Sequence, residues 1–191
     1  MKLLMHICCA PCAVYPLKAV RDKGIEVTGL WFNPNIHPYT EYRSRLDSLN
    51  VLQKLSAFPV EYCNEYGLTE FLRNVAGKED RRCEYCYAVR LGKTAERAKK
   101  TGADAFTTSL LVSPYQKFDM IKEMGRTMQE KYGVEFLAED FRGGFREGRK
   151  SARDMGLYRQ KYCGCIYSEM ERYTHGKPKG AGATLCGDTV S

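Results

Sequence analysis

The chain has 191 residues, enough for one ordinary domain with a real core, so it needs no disulfide staples to fold. Hydrophobic residues make up 43% and charged residues 28%, which excludes a long disordered chain, and no apolar run approaches the roughly 20 residues that cross a bilayer. Thirty Lys and Arg against 23 Asp and Glu leave a formal charge of +7, which either serves solubility alone or favours an anionic partner such as nucleic acid.

Residues 2–7 are almost continuously apolar, the pattern of a strand buried on both faces. That apolar start is too short for a signal peptide and has no small-residue cleavage site, so the expected location is the cytoplasm, with no membrane partner. Pro11 suits the first turn of a helix, and Val14, Leu17 and Val20 continue it towards Gly24. A second strand is predicted over 25–32, a helix over 41–55 and a third strand over 60–63. A helix over 90–99 reaches back towards Arg82, a strand follows over 105–111, a helix over 118–131 and a last strand over 134–137. Alternating strands and helices predict an α/β fold, a single Rossmann-like domain with a mostly parallel sheet and helices on both faces. Its working site belongs at the carboxyl ends of the strands, where Cys8 and Cys9 fall. The domain is expected to span 1–175, with 176–191 as a flexible tail rich in small residues.

Nine cysteines set this chain apart, and in a cytosolic protein of this size they point to metal or redox chemistry. Cys83-Glu84-Tyr85-Cys86 puts two sulfurs on one helix face. Cys8-Cys9-Ala10-Pro11-Cys12 puts three more at a strand-to-helix turn, where a helix N-terminus favours thiolates. Two ligands from each segment complete a four-cysteine site, suited to zinc or to an iron–sulfur cluster. Cys163-Gly164-Cys165 has one residue between its thiols, so a bridge there is strained and easily reduced. It reads as a two-electron switch or as two further metal ligands. Cys63 and Cys186 have no motif partner.

The segment Phe141-Arg142-Gly143-Gly144-Phe145-Arg146-Glu147-Gly148-Arg149-Lys150 combines cations, aromatics and flexible glycines. It is either a solvated helical face or a surface for phosphates and unstacked bases. Asn33, Asn35 and His37 follow the second strand and are placed to line a site. His37, Tyr115 and Asp119 are candidate proton donors by position. Two enzyme classes are excluded. A radical S-adenosylmethionine enzyme needs C-x3-C-x2-C, and the third position here is Tyr15; a PP-loop enzyme needs a glycine-rich phosphate loop, and the first turn has no glycine.

Taken together, several stretches resemble the QueH-type epoxyqueuosine reductases: residues 6–12, 32–38, 83–86, 108–117 and 158–165. The resemblance implies a HUP-like fold and reduction of the epoxide of epoxyqueuosine, at the wobble position of tRNA, to the cyclopentene of queuosine. It implies a [4Fe–4S] cluster on Cys8, Cys9, Cys83 and Cys86, a redox-active Cys163/Cys165 pair, and no cobalamin. Cys12 is then left beside the cluster as a third catalytic thiol, or as a ligand to an additional iron ion. Asn33, Asn35, His37, Tyr115, Arg142, Arg146 and Arg149 are the expected substrate-binding residues. The expected partners are a tRNA anticodon stem-loop and an unidentified electron donor. The competing readings are a zinc-bound RNA-binding module and a general thiol–disulfide oxidoreductase.

Overall fold

The computed structural model describes residues 1–174. The tail expected over 176–191, and Cys186 with it, lie outside the described residues. Five strands form one sheet in the order β3-β2-β1-β4-β5, and every pairing is parallel. The central strand β1 (Lys2–His6) is the apolar N-terminal run, with Leu3, Leu4, Met5 and His6 all buried. It pairs with β2 (Glu26–Phe32) on one side and β4 (Ala105–Thr108) on the other. β3 (Val60–Cys63) and the short β5 (Glu135–Phe136) complete the edges.

The helices are α1 (Ala10–Arg21), α2 (Tyr39–Ser56), α3 (Leu68–Val75), α4 (Arg82–Thr101), α5 (Phe118–Tyr132), α6 (Phe145–Asp154) and α7 (Ile166–Thr174). α1 packs against α2 and α6, and α4 packs against α5, which flanks the sheet with helices as the alternation of elements requires. The α/β class and the parallel sheet expected from sequence are therefore present. The fourth strand stops at Thr108, short of the expected 111, because Ser109–Val112 turn into a 3₁₀ helix capped by the Thr108 hydroxyl, which accepts from the Leu110 amide. α3, an amphipathic helix that buries Phe71 and Val75, and α7 are two elements the sequence reading does not include. Among the described residues no helix is long and apolar enough to cross a membrane.

Chain order reverses between β1 and β4, so the loops after these two strands splay apart at the carboxyl edge of the sheet. Cys8 leaves the first strand there and Ser109 leaves the other. The Cys8 amide donates to Ser109 Oγ at 3.1 Å, tying the two strand ends together.

Candidate functional site

Cys9 is the extended residue that caps α1, and Cys12 lies in that helix's first turn with Pro11. The sulfurs of Cys8, Cys9 and Cys12 all lie within 4.8 Å of one another and are buried. Cys83 and Cys86 occupy the first turn of α4, so both cysteine segments use a helix N-terminus, as expected. Neither belongs to the tight Cys8/Cys9/Cys12 group. Their link to it is Arg90, one turn beyond Cys86 on the same helix face.

Arg90 is fully buried. Its Nε–H donates to Asn35 Oδ1 at 2.7 Å, and Asn35 Nδ2 donates to Cys86 Sγ at 2.6 Å. Nη1 and Nη2 are buried with no hydrogen-bond partner among the described residues. Burial works against the Arg90 charge, yet the sulfurs of Cys86, Cys8 and Cys163 outweigh it and hold the guanidinium protonated. A buried cation with two idle donor edges costs several kcal/mol unless an anion faces it. A thiol-only donor set around such a cation fits an anionic thiolate–metal group, and both an iron–sulfur cluster and a four-thiolate zinc satisfy that chemistry.

The thiols do not share charge evenly. Hydrogen bonds from the Cys12 and Cys9 thiols hold Cys8 well below the ordinary thiol range, with Arg90 adding to them. Burial pushes Cys9 up, and donating to Cys8 pushes Cys12 up. Burial also pushes Cys86 up to about 12. Behind Cys8, His6 pairs with Thr108 Oγ1 at 2.9 Å and Asn33 Oδ1 at 3.2 Å, and burial lowers its pKa to about 4, so it is neutral.

In front of the thiols lies a cavity of about 400 Å³ lined by Cys8, Cys12, Cys163, Tyr115, Gln116 and Gln160, with Phe145 and four cations at its rim. Gln160 Nε2 donates to Cys9 Sγ at 2.9 Å and to Cys12 Sγ at 3.3 Å; Gln116 Nε2 donates to Cys163 Sγ at 3.1 Å. Cys163 is exposed and Cys165 half-buried, and both are free thiols here. Their segment is pinned by Arg45, fully buried on α2, which donates to the carbonyls of Cys163 at 2.8 Å and Tyr162 at 3.0 Å and to Glu41 Oε1 at 2.7 Å. Gly164 sits at φ 150°, a region closed to most side chains, and a Cβ there would meet Ile36 at 3.2 Å and Arg45 at 3.3 Å.

Several expected substrate contacts are placed elsewhere. Asn33 and Asn35 are buried behind the cavity, where they hold His6 and Cys86. His37 is fully buried against Phe71 and Tyr66, and its ring nitrogens have no hydrogen-bond partner among the described residues; the fold uses its backbone, whose amide donates to Gly164 O and whose carbonyl accepts from Tyr162 Oη, both at 2.7 Å. Arg142 is held by Asp140 at 2.6 Å and lies on the Phe118 ring, away from the cavity. Asp119 lines a separate groove on α5. Tyr115 and Arg149 do reach the cavity, and Arg146 lines the groove beside it. Of the glycines expected to be flexible, Gly144 and Gly148 are close-packing ones, since a Cβ at either would press on Tyr15 where α6 meets α1, while Gly143 faces open space.

Arg90, Arg45, Gln116 and Gln160 had no assigned role from sequence. Arg90 carried a local signal in its spacing of four from Cys86, Gln116 and Gln160 lie within the family-like stretches 108–117 and 158–165, and Arg45 had neither.

Comparison with known proteins bears on this arrangement. The family model "Epoxyqueuosine reductase QueH" matches residues 3–171. A protein of that name from Dehalococcoides mccartyi is 39% identical over 177 residues, covering 93% of this chain and 96% of the relative. Another from Thermotoga maritima is 36% identical over 180 residues, covering 89% and 91%. Among solved structures, a predicted subunit of a tRNA methyltransferase from Methanocaldococcus jannaschii aligns with a TM-score of 0.51 at 10% identity, over 80% of this chain and 76% of that one, a likeness of fold alone.

Proposed function

Since the chain belongs to the epoxyqueuosine reductase QueH family and is an epoxyqueuosine reductase of queuosine biosynthesis, we propose that its cysteine-lined cavity is where the nucleoside is deoxygenated. The substrate is epoxyqueuosine carried in tRNA, which places the enzyme in the cytoplasm. The observation that carries this assignment is the convergence of Cys8, Cys12 and Cys163 on one cavity of about 400 Å³, with the idle edges of Arg90 buried behind the thiols.

Cys8, Cys9, Cys83 and Cys86 are the thiolates that would hold a [4Fe–4S] cluster, which when bound supplies single electrons at a tuned potential. Asn35 already donates to Cys86, and Arg90 has two donor edges free for thiolate or sulfide. The tight grouping of Cys8, Cys9 and Cys12, and the Gln160 amide shared between Cys9 and Cys12, favour a second reading in which Cys12 replaces Cys8 or binds an additional iron. Iron and sulfide counts on the Cys8→Ser and Cys12→Ser variants separate the two.

Removing the epoxide oxygen to leave an alkene consumes two electrons and two protons and releases water. Oxidation of the Cys163 and Cys165 thiols to one disulfide releases the same two electrons and two protons. An external low-potential donor then restores the dithiol. Gln116 holds the Cys163 sulfur at the cavity wall, and Arg45 fixes the backbone that carries it. Of the three candidate proton donors, Tyr115 is the one that lines the cavity.

The test is mass spectrometry of nucleosides from epoxyqueuosine-containing tRNA incubated with iron- and sulfide-loaded protein and a low-potential reductant. Loss of one oxygen is expected. An unchanged nucleoside with fully loaded protein refutes the assignment, and full turnover by Cys163→Ser refutes the dithiol step alone.

A further inference from the structure

Some basic residues of this chain are neutralised by an ion pair and others are not. Arg82, Arg97 and Arg142 each hold a carboxylate, at 2.5, 2.6 and 2.6 Å. At the cavity rim, Arg149, Arg159, Lys161 and Arg172 hold none among the described residues, and no Asp or Glu lines that cavity. A second groove continues from the first, sharing Tyr115, Phe145 and Arg149 and adding Arg146 and Arg153, again without an acid. The groove on α5 shows what an ordinary solvated surface looks like here: Lys122 and Arg126 alternate with Asp119, Glu123 and Glu130. Arg146, Arg149, Arg153, Arg159, Lys161 and Arg172 thus share one track that no acid lines among the described residues, and that track runs past the mouth of the thiol cavity.

Tyr115 stands on the same track. The residue is 79% exposed and its ring meets that of Phe145 edge-on, at 5.8 Å and 77°, so a ring face stays open. An exposed aromatic face among unpaired guanidinium groups matches unpaired nucleotides, which offer a base to stack and a phosphate to pair. A membrane surface or an acidic peptide would use the cations and leave the open ring unexplained.

We propose that Arg149, Arg159, Lys161 and Arg172 form a phosphodiester cradle for the RNA strand flanking the reacting nucleoside, with Arg146 and Arg153 extending it and Tyr115 stacking a neighbouring base. This rests on the tRNA reading above and replaces Arg142 as a phosphate ligand. The cradle holds the strand across the cavity mouth, so that one nucleoside, turned out of the stack, reaches the thiols.

The experiment measures binding of an anticodon stem-loop RNA, with an unmodified wobble guanosine, across a salt series. Each phosphate contact removed lowers the slope of log K against log salt by about 0.7–0.9. Arg159→Gln and Lys161→Gln are expected to bind a few-fold more weakly at low salt and to lower the slope by that amount. Arg142→Gln and Lys122→Gln are expected to match wild type in both. Tyr115→Ala is expected to bind roughly ten-fold more weakly with the slope unchanged, and Tyr115→Phe to restore it. Slopes unaltered in Arg159→Gln and Lys161→Gln, or lowered equally by the control variants, overturn the cradle and leave RNA binding standing. Wild-type protein that binds no RNA overturns the cradle together with the tRNA reading beneath it.

Discussion

Replacing Arg90 by methionine separates its role towards the metal centre from its role in folding, because the two respond differently. In the metal-free protein the change removes a buried cation with two idle nitrogens, which stabilises by about 1–4 kcal/mol. It also strips Asn35 Oδ1 of its 2.7 Å donor, which costs about 1–3 kcal/mol. These oppose each other, so the apoprotein should unfold within about 3 kcal/mol of wild type. In the loaded protein Arg90 would face at least one formal negative charge. For an assumed separation of about 5 Å and an effective dielectric constant of about 20, such a pair would be worth about 3 kcal/mol, or roughly a hundred-fold in affinity. The assays are urea unfolding, followed by the fluorescence of Trp31, the only tryptophan and fully buried, and chelator competition for bound iron under anaerobic conditions. Arg90→Lys, which keeps a charge and loses the fork, should fall between the two. An Arg90→Met protein that holds iron as tightly as wild type, yet unfolds more than about 3 kcal/mol more easily, would falsify the assignment and make Arg90 a structural residue.

Three further outcomes follow from the residues that shape the cavity wall. Arg45→Leu leaves Glu41, 7% exposed, as an unpaired buried charge and should cost about 3–5 kcal/mol in urea unfolding; Arg45→Leu with Glu41→Leu should recover most of that, and a double variant no better than the single one contradicts the pairing. Gly164→Ala forces a Cβ into a φ of 150° and against Ile36 and should cost about 1–3 kcal/mol, so an unchanged melting temperature would show that the turn relaxes. His37 is held neutral by burial, with its pKa lowered from 6.5 to about 4. The unfolded chain therefore binds the extra proton between those values. His37 contributes stability that is fully present above pH 6.5 and is lost as pH falls towards 4, at most about 3 kcal/mol. His37→Phe should flatten that acid limb in the metal-free protein, and an identical pH profile would remove His37 as its source.

Much of this protein is written in short-range pattern. A continuous apolar run such as Leu3-Leu4-Met5 can be satisfied only as a strand covered on both faces, and alternation with amphipathic helices leaves few sheet topologies open. The paired thiols at 8–12, 83–86 and 163–165 are equally local, because a helix brings residues three or four apart onto a common face and a tight turn keeps nearer neighbours close, whatever the rest of the chain does. Convergence is another matter. Arg90 and Arg45 read as ordinary helix-surface cations until β1, β2 and β4 stand side by side and close α2 and α4 over the strand ends. His37 looks like a solvent-facing loop residue until Gly164 accepts its amide and Phe71 covers its ring. Arg142 and Arg149 are indistinguishable by composition, and only Asp140 beside one and the open cavity beside the other divide them. Spacing along the chain dictates which groups travel together. Burial and pairing between distant segments depend on loop closure and sheet order, so a side chain's charge environment emerges only when the chain has folded.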